Sequence, residues 1–186
     1  MVSVGSLWLP ILLSAVFVFV VSAIFHMVLK YHQSDFKGLP GEAAVLDALR
    51  KPETPPGEYM APHCASANAM KDPEFVAKME RGPIVLMTVA KGTKPSMGKS
   101  LALWFVYCLI VSVIAAYLTA HAVPAGGPYR SVMRFAGCAA FLGYGMAVMQ
   151  ASIWYNRPWG TTFKNMFDGL VYGLVTGGTF GWLWPR

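Results

Sequence analysis

Hydrophobic and polar positions separate along the chain into long apolar blocks and one polar block. Residues 7–29 and 101–121 contain no Asp, Glu, Lys or Arg. About 20 helical residues cross the ~30 Å hydrocarbon core of a bilayer, so each block is long enough to span. Residues 132–153 and 163–184 carry charges only in their first turns, where a charged side chain can reach the headgroups. The pattern therefore predicts four transmembrane helices.

The predicted fold is an all-α integral membrane protein, a four-transmembrane-helix bundle with a mixed polar segment between helices one and two. Its parts are the first helix (residues 1–29), a membrane-proximal polar segment (30–100) and a three-helix transmembrane region (101–186). The first block has neither a basic start nor a small-residue cleavage site. We therefore expect a retained membrane helix rather than a secretory signal.

The polar segment has local patterns of its own. Residues 41–51 place apolar side chains on one face of a short helix, and Asp72-Pro73-Glu74 is typical of a helix start. Residues 83–90 have strand composition. The four prolines of residues 52–62 predict an extended loop.

Composition and charge agree with a membrane protein and indicate its orientation. The chain of 186 residues is 55% hydrophobic and 13% charged, where soluble domains carry about 25% charge. Of its fifteen Lys and Arg residues, ten lie in residues 30–100, several beside the apolar blocks. Because Lys and Arg near span ends stay in the cytoplasm, we predict that this segment and the 154–162 loop are cytoplasmic. Both termini are then periplasmic, in an inner membrane of bacterial type.

The tryptophans give an independent indication of where the spans end. Indole rings prefer the interface between membrane and water. All six tryptophans fall at or just beyond a predicted span end: Trp8, Trp104, Trp154, Trp159, Trp182 and Trp184.

Cysteine and histidine positions predict no metal and no cofactor. The three cysteines are scattered and form no C-x-x-C pair. His63 and Cys64 are adjacent in a proline-rich stretch, too few to make a metal site alone. His26 and His121 fall at opposite faces of the membrane, so they cannot share one haem iron.

Small residues along the spans predict tight helix packing and little room for an aqueous pore. Glycine lets backbones approach closely, which favours helix association in lipid. The fourth span carries a glycine every four residues, and the third offers a matching row of small residues. An alternative is that the glycine groove admits a lipid tail or a pigment. The predicted packing residues are Gly169, Gly173, Gly177 and Gly181 on one helix, and Ala136, Ala140, Gly143 and Ala147 on the other.

Polar residues inside the spans are candidates for function. Five of them fall near the predicted cytoplasmic face and could form one layer. Within it, Lys164 and Asp168 have a spacing that permits an ion pair. The alternative is a proton or ion relay that uses His26 and Asp168. The set is His26, Gln150, Lys164, Asn165 and Asp168.

A basic stretch precedes the second span. Gly92 and Gly98 enclose five residues, whereas a phosphate-binding loop has four between its glycines. We therefore predict that Lys91, Lys94 and Lys99 contact lipid headgroups.

The sequence carries no recognisable catalytic motif and leaves three functions open. The first is an accessory or scaffolding subunit that packs laterally in a larger membrane complex of the respiratory, photosynthetic or secretory kind, or self-associates. The second is a small oligomeric transporter or channel, and the third a membrane enzyme acting on lipid or quinone at the inner face. Nucleic-acid binding is not expected, because the basic residues alternate with acids.

Overall fold

A computed structural model describes residues 2–92 and 96–186. The chain is mostly helical and divides into two compact units, one formed by residues 1–37 with 96–186, the other by residues 38–95. In chain order the elements are α1 (Trp8–Ala23), α2 (Glu42–Arg50), β1 (Gly57–Ala61), α3 (Pro73–Arg81), β2 (Val85–Val89), α4 (Met97–Ala122), α5 (Tyr129–Tyr144), α6 (Met149–Tyr155) and α7 (Trp159–Trp182).

Three helical segments are long and apolar enough to cross a membrane: Val4–Val28, Met97–Ala122 and Tyr129–Tyr155. The prediction of an all-α protein is confirmed, and these three segments have the length and composition of membrane spans. Helix α7 has 24 residues, which is also a spanning length. Its many glycines and threonines, together with Asn165 and Asp168, give it a lower hydropathy than the other three.

The first unit is a bundle in which α1 packs against α4 and α7, and α5 packs against the same two helices. Small residues line its interior, including Ala15, Cys108 and Ala140 in one core cluster and Ala115 with Ala136 in another. Small side chains bring the helix axes close, as expected for helices that associate in lipid.

One end of the bundle is closed by contacts between the chain end and a loop. Trp184 Nε1 donates to the Pro124 carbonyl at 2.9 Å, and the Gly126 N–H donates to the Pro185 carbonyl at 2.9 Å. Leu7 is buried in the same cluster as Trp184. This end of the bundle therefore contains the first residues of α1, the last residues of α4 and the C-terminus. The opposite end of the bundle contains the last residues of α1 and the first residues of α7.

The third predicted span is not one continuous helix. It was predicted to run through residues 132–153, but α5 ends at Tyr144 and a 3₁₀ turn, Met146–Val148, leads into α6. The break falls at Gly145, whose backbone lies against Gly169 of α7. A Cβ on Gly169 would stand 2.5 Å from the Gly145 Cα. The helix is therefore interrupted where the backbone after α5 lies very close to that of α7.

The second unit combines two short helices with a two-stranded antiparallel sheet. Strand β1 pairs antiparallel with β2, with Tyr59 opposite Met87. The prediction of an extended loop over residues 52–62 is therefore wrong for β1, because ladder hydrogen bonds to β2 outweigh the flanking prolines. Helix α3 starts as expected, with the Asp72 carboxylate accepting the Glu74 N–H at 3.0 Å.

Candidate functional site

The chain reverses direction directly after α1 and folds back onto α7. Helix α1 continues into a π-helical turn, Ile24–Val28, closed by the Leu29 N–H donating to the Ile24 carbonyl at 3.0 Å. Lys30 then takes a left-handed conformation with φ 54°, and a 3₁₀ turn, Tyr31–Asp35, follows. Such π-helical turns are rare and often occur at functional sites. We call Tyr31–Asp35 the return turn.

The return turn brings two histidines and a carboxylate together. The rings of His26 and His32 stack in parallel, with centroids 4.5 Å apart. His32 Nε2 lies 2.8 Å from Asp168 Oδ2, and the Tyr31 hydroxyl donates to Asp168 Oδ1. Potential ligand atoms of His26, His32 and Asp168 all lie within 4.8 Å of one another. We call these three residues the His–His–Asp cluster.

A second layer of contacts fixes His32. Its Nδ1 lies 2.6 Å from Asp35 Oδ2, while Asp35 Oδ1 accepts from Lys164 Nζ at 2.8 Å. The Asp35 side chain is only 6% exposed. Burial raises the pKa of Asp35, but the hydrogen bonds and charges of Lys164 and His32 lower it by more, so that pKa lies below its ordinary value. Asp35 is therefore an ionised partner for His32 at neutral pH.

A cavity of about 750 Å³ opens beside the His–His–Asp cluster. It lies between the end of α1, the start of α4, the break after α5 and the first half of α7. Aromatic rings form much of its wall, and His26, Asn165 and Asp168 form its polar end. The predicted tight packing therefore does not extend to this end of the bundle, where α5 ends at Tyr144 and a 3₁₀ turn follows.

The Tyr172 hydroxyl is the one unsatisfied polar group of the aromatic wall among the described residues. Trp104 Nε1 donates to Ser22 Oγ at 2.8 Å, and the Tyr107 hydroxyl donates to the Gly143 carbonyl at 2.6 Å. Tyr172 is 3% exposed, and its hydroxyl has no hydrogen-bond partner in the described parts of the chain. Leaving such a group unpaired costs about 1–3 kcal/mol, and the Tyr172 side chain lines the cavity.

Four of the five residues of the predicted polar layer meet at this site. His26, Asn165 and Asp168 line the cavity, and Lys164 lies beside them. Gln150 is exposed on α6 and does not line the cavity. The expected Lys164–Asp168 ion pair is wrong: Lys164 pairs with Asp35 instead. The reason is that the return turn presents a buried carboxylate to Lys164.

Sequence reasoning missed the return turn. Tyr31, His32 and Asp35 were assigned to the polar segment, and the three residues belong to the helical unit. The prediction of no metal considered other histidines and did not include His32. One signal was present: His32 and Asp35 are three apart, directly after the end of an apolar block.

The glycine row of α7 packs against α5 inside this chain. A Cβ on Gly173 would stand 2.9 Å from the Gly137 carbonyl oxygen, and one on Gly177 would stand 2.6 Å from that of Met133. A Cβ on Gly181 would stand 2.6 Å from the Tyr129 ring. The groove is therefore filled by α5 along these contacts.

The expected partner row on α5 is displaced from the observed one. Ala136 and Ala140 are buried in the two core clusters, Gly143 faces Val111 of α4, and Ala147 lines the cavity. The backbone that meets the glycines belongs instead to Met133, Gly137 and Gly145, because the contact face depends on the crossing geometry of the two helices.

The lysines predicted to contact headgroups fall in different parts of the chain. Lys91 is exposed after β2 in the second unit, and Lys99 is exposed in the first turn of α4. Lys94 lies outside the described residues, as does the middle of the glycine-flanked stretch.

No family model matches the chain, and no curated protein or solved structure matches it significantly.

Proposed function

We propose that the protein is a four-span integral membrane protein whose helical unit binds a lipophilic, quinone-type molecule in the cavity. The observation that carries the proposal is the aromatic cavity with a buried, unpaired Tyr172 hydroxyl.

Outward-facing side chains support the placement of all four helices in lipid. On α4, Leu103, Ile110 and Ile114 are each about half exposed. On α7, Phe163, Phe167, Leu170 and Leu174 form an exposed apolar row. A soluble protein rarely exposes contiguous apolar surface of this extent. Helix α7 has low hydropathy because its glycines face α5, whereas its outer face suits acyl chains.

The cavity wall favours a neutral ligand with a flat head. Its volume lies within the roughly 300–1,000 Å³ of small-molecule sites. Trp104, Tyr144 and Tyr172 offer ring faces and edges for stacking. Among the described lining residues there is no Lys or Arg, so a phosphate headgroup would lack a cationic partner. The Tyr172 hydroxyl is buried in the ligand-free protein, so its side chain must shift towards the cavity to donate to a quinone carbonyl. The isoprenoid tail of the quinone can pass between helices.

The site also bears on the accessory-subunit hypothesis. The small-residue rows that suggested lateral partners are occupied within the chain, and the outward faces carry large side chains. Assembly with other subunits stays a prediction, and ligand binding is the function that the described geometry supports best.

Filling the cavity should abolish binding. We expect decylubiquinone to bind the detergent-solubilised protein saturably, and Ala147→Trp to weaken binding at least tenfold, about 1.4 kcal/mol, because Ala147 lines the cavity. Ala102→Trp, at an exposed position on α4 outside the cavity lining, is the matched control and should bind normally. Quenching of tryptophan fluorescence, corrected for the added indole, measures both. Equal affinity in the two variants would contradict the proposal.

Tyr172→Phe separates a ligand-binding hydroxyl from a structural one. We expect this variant to bind decylubiquinone more weakly while its ligand-free form keeps or gains thermal stability, because the unpaired hydroxyl contributes nothing to the fold. Unchanged affinity would remove Tyr172 from the binding site.

A further inference from the structure

We propose that His26, His32 and Asp168 bind one divalent transition-metal ion at the polar end of the cavity. The inference goes beyond quinone binding and does not depend on it. It rests on the side-chain atoms that the return turn and α7 bring together.

Each imidazole has its Nδ1 atom hydrogen-bonded, as metal-binding histidines do. A histidine ligand usually donates its second ring N–H to a carbonyl or a carboxylate, which fixes the ring and leaves the other nitrogen for the metal. His26 Nδ1 lies 3.0 Å from the Ser22 carbonyl oxygen, and His32 Nδ1 lies 2.6 Å from Asp35 Oδ2. Both Nε2 atoms are therefore the ones left to coordinate.

The supporting residues are held in turn. Lys164 Nζ donates to Asp35 Oδ1, to the Tyr31 carbonyl and to Ser34 Oγ, at 2.8 to 2.9 Å. The Tyr31 hydroxyl donates to Asp168 Oδ1, which leaves Oδ2 facing His32. These hydrogen bonds therefore position His32 and Asp168 together.

Coordination requires a change in ring orientation as well as in spacing. Ligands ~2.0–2.2 Å from a tetrahedral ion are roughly 3–3.5 Å from each other. The candidate atoms lie within 4.8 Å of one another. Because an imidazole nitrogen binds an ion in the plane of its ring, the exposed His26 ring must rotate out of its parallel stack on His32. Coordination replaces the proton between His32 Nε2 and Asp168, and that proton leaves to solvent.

Charge and donor type define the class of ion. Asp35 and Lys164 form an ion pair, so Asp168 is the remaining negative charge that faces the two histidines. A buried carboxylate in a span is costly unless a cation compensates it. Two imidazoles with one carboxylate suit Fe²⁺, Co²⁺ or Zn²⁺, whereas Mg²⁺ and Ca²⁺ prefer oxygen alone. Three protein ligands leave coordination positions open, and His26 and Asp168 also line the cavity.

Titration of the purified, chelator-treated full-length protein with Co²⁺ tests the site. We expect one equivalent to bind, with a visible absorption band, and Zn²⁺ to displace it. His26→Ala should weaken Co²⁺ binding about 100-fold. Asp35→Asn, which weakens the support of His32 and the pair with Lys164, should weaken it by about 10-fold. His63→Ala and His121→Ala are the matched controls and should bind as the parent does.

His26→Ala is the decisive variant because it should fold. His26 is exposed, and its only hydrogen bond in the described residues is to the Ser22 carbonyl. Failure of the parent to bind one equivalent, or unchanged affinity in His26→Ala, would overturn the metal site. Decylubiquinone binding measured on the same metal-free protein reports on the proposed function separately.

Discussion

Gly177→Ala is expected to destabilise the helical unit by about 3 kcal/mol, as inserting an atom into a tightly packed helix contact does. The new Cβ would stand 2.6 Å from the Met133 carbonyl oxygen and 3.0 Å from the Gly137 Cα. Both are backbone atoms, so α5 and α7 must separate to make room. Thermal unfolding in detergent, followed by the helical circular dichroism signal, measures the loss.

Gly178→Ala is the control next along the same helix. Its Cβ would meet only the Tyr129 hydroxyl, at 3.7 Å, which is ordinary contact. We expect this variant to be as stable as the parent or slightly more so, since alanine restricts the unfolded chain. Equal unfolding temperatures for the two variants would mean that α5 and α7 are not in close backbone contact at Gly177.

Lys164→Met is expected to destabilise the helical unit by about 2 kcal/mol. This loss is smaller than the ~3–5 kcal/mol typical of breaking a fully buried ion pair, because Lys164 is partly exposed and His32 still faces Asp35. The substitution leaves the buried Asp35 carboxylate without its ammonium partner and removes the link from α7 to the return turn. The same unfolding measurement reports the change, and His32 should become more accessible to diethyl pyrocarbonate.

Lys99→Met removes a lysine from an exposed position on α4 that makes no salt bridge within the described residues. The unfolding temperature of the Lys99→Met variant should match that of the parent, because exposed charges contribute little to stability. If Lys164→Met behaved like Lys99→Met in both measurements, the return turn would not be docked on α7 through the Asp35–Lys164 pair.

Local sequence was enough to locate the helices. Apolar blocks without charges predict α1 and α4, and an Asp72-Pro73 start predicts α3, because these elements depend on neighbouring residues. The apolar block of residues 163–184 also predicts α7, although this block is less apolar than the first two. The β1 strand was missed, since its pairing with β2 involves residues about thirty positions away.

The candidate site could be predicted only in part. His26 and Asp168 were recognised because ionisable side chains stand out in apolar blocks. Their third partner, His32, reaches them through a π-helical turn and the left-handed Lys30, and neither conformation has a sequence signal strong enough to predict. The cavity depends on the break at Gly145, which comes from a contact with Gly169 in another helix.

The account depends most on α7 crossing the membrane, because α7 carries Asp168, Tyr172 and the glycine row. The direct measurement is labelling with a membrane-impermeant maleimide in intact spheroplasts, using a chain whose three cysteines are replaced by alanine. Gly160→Cys and Arg186→Cys place single thiols just inside the start of α7 and just beyond its end. We predict that the thiol at position 186 is labelled from outside and the one at position 160 only after permeabilisation. Labelling of both from the same side would contradict a spanning α7 and, with it, the proposed binding site.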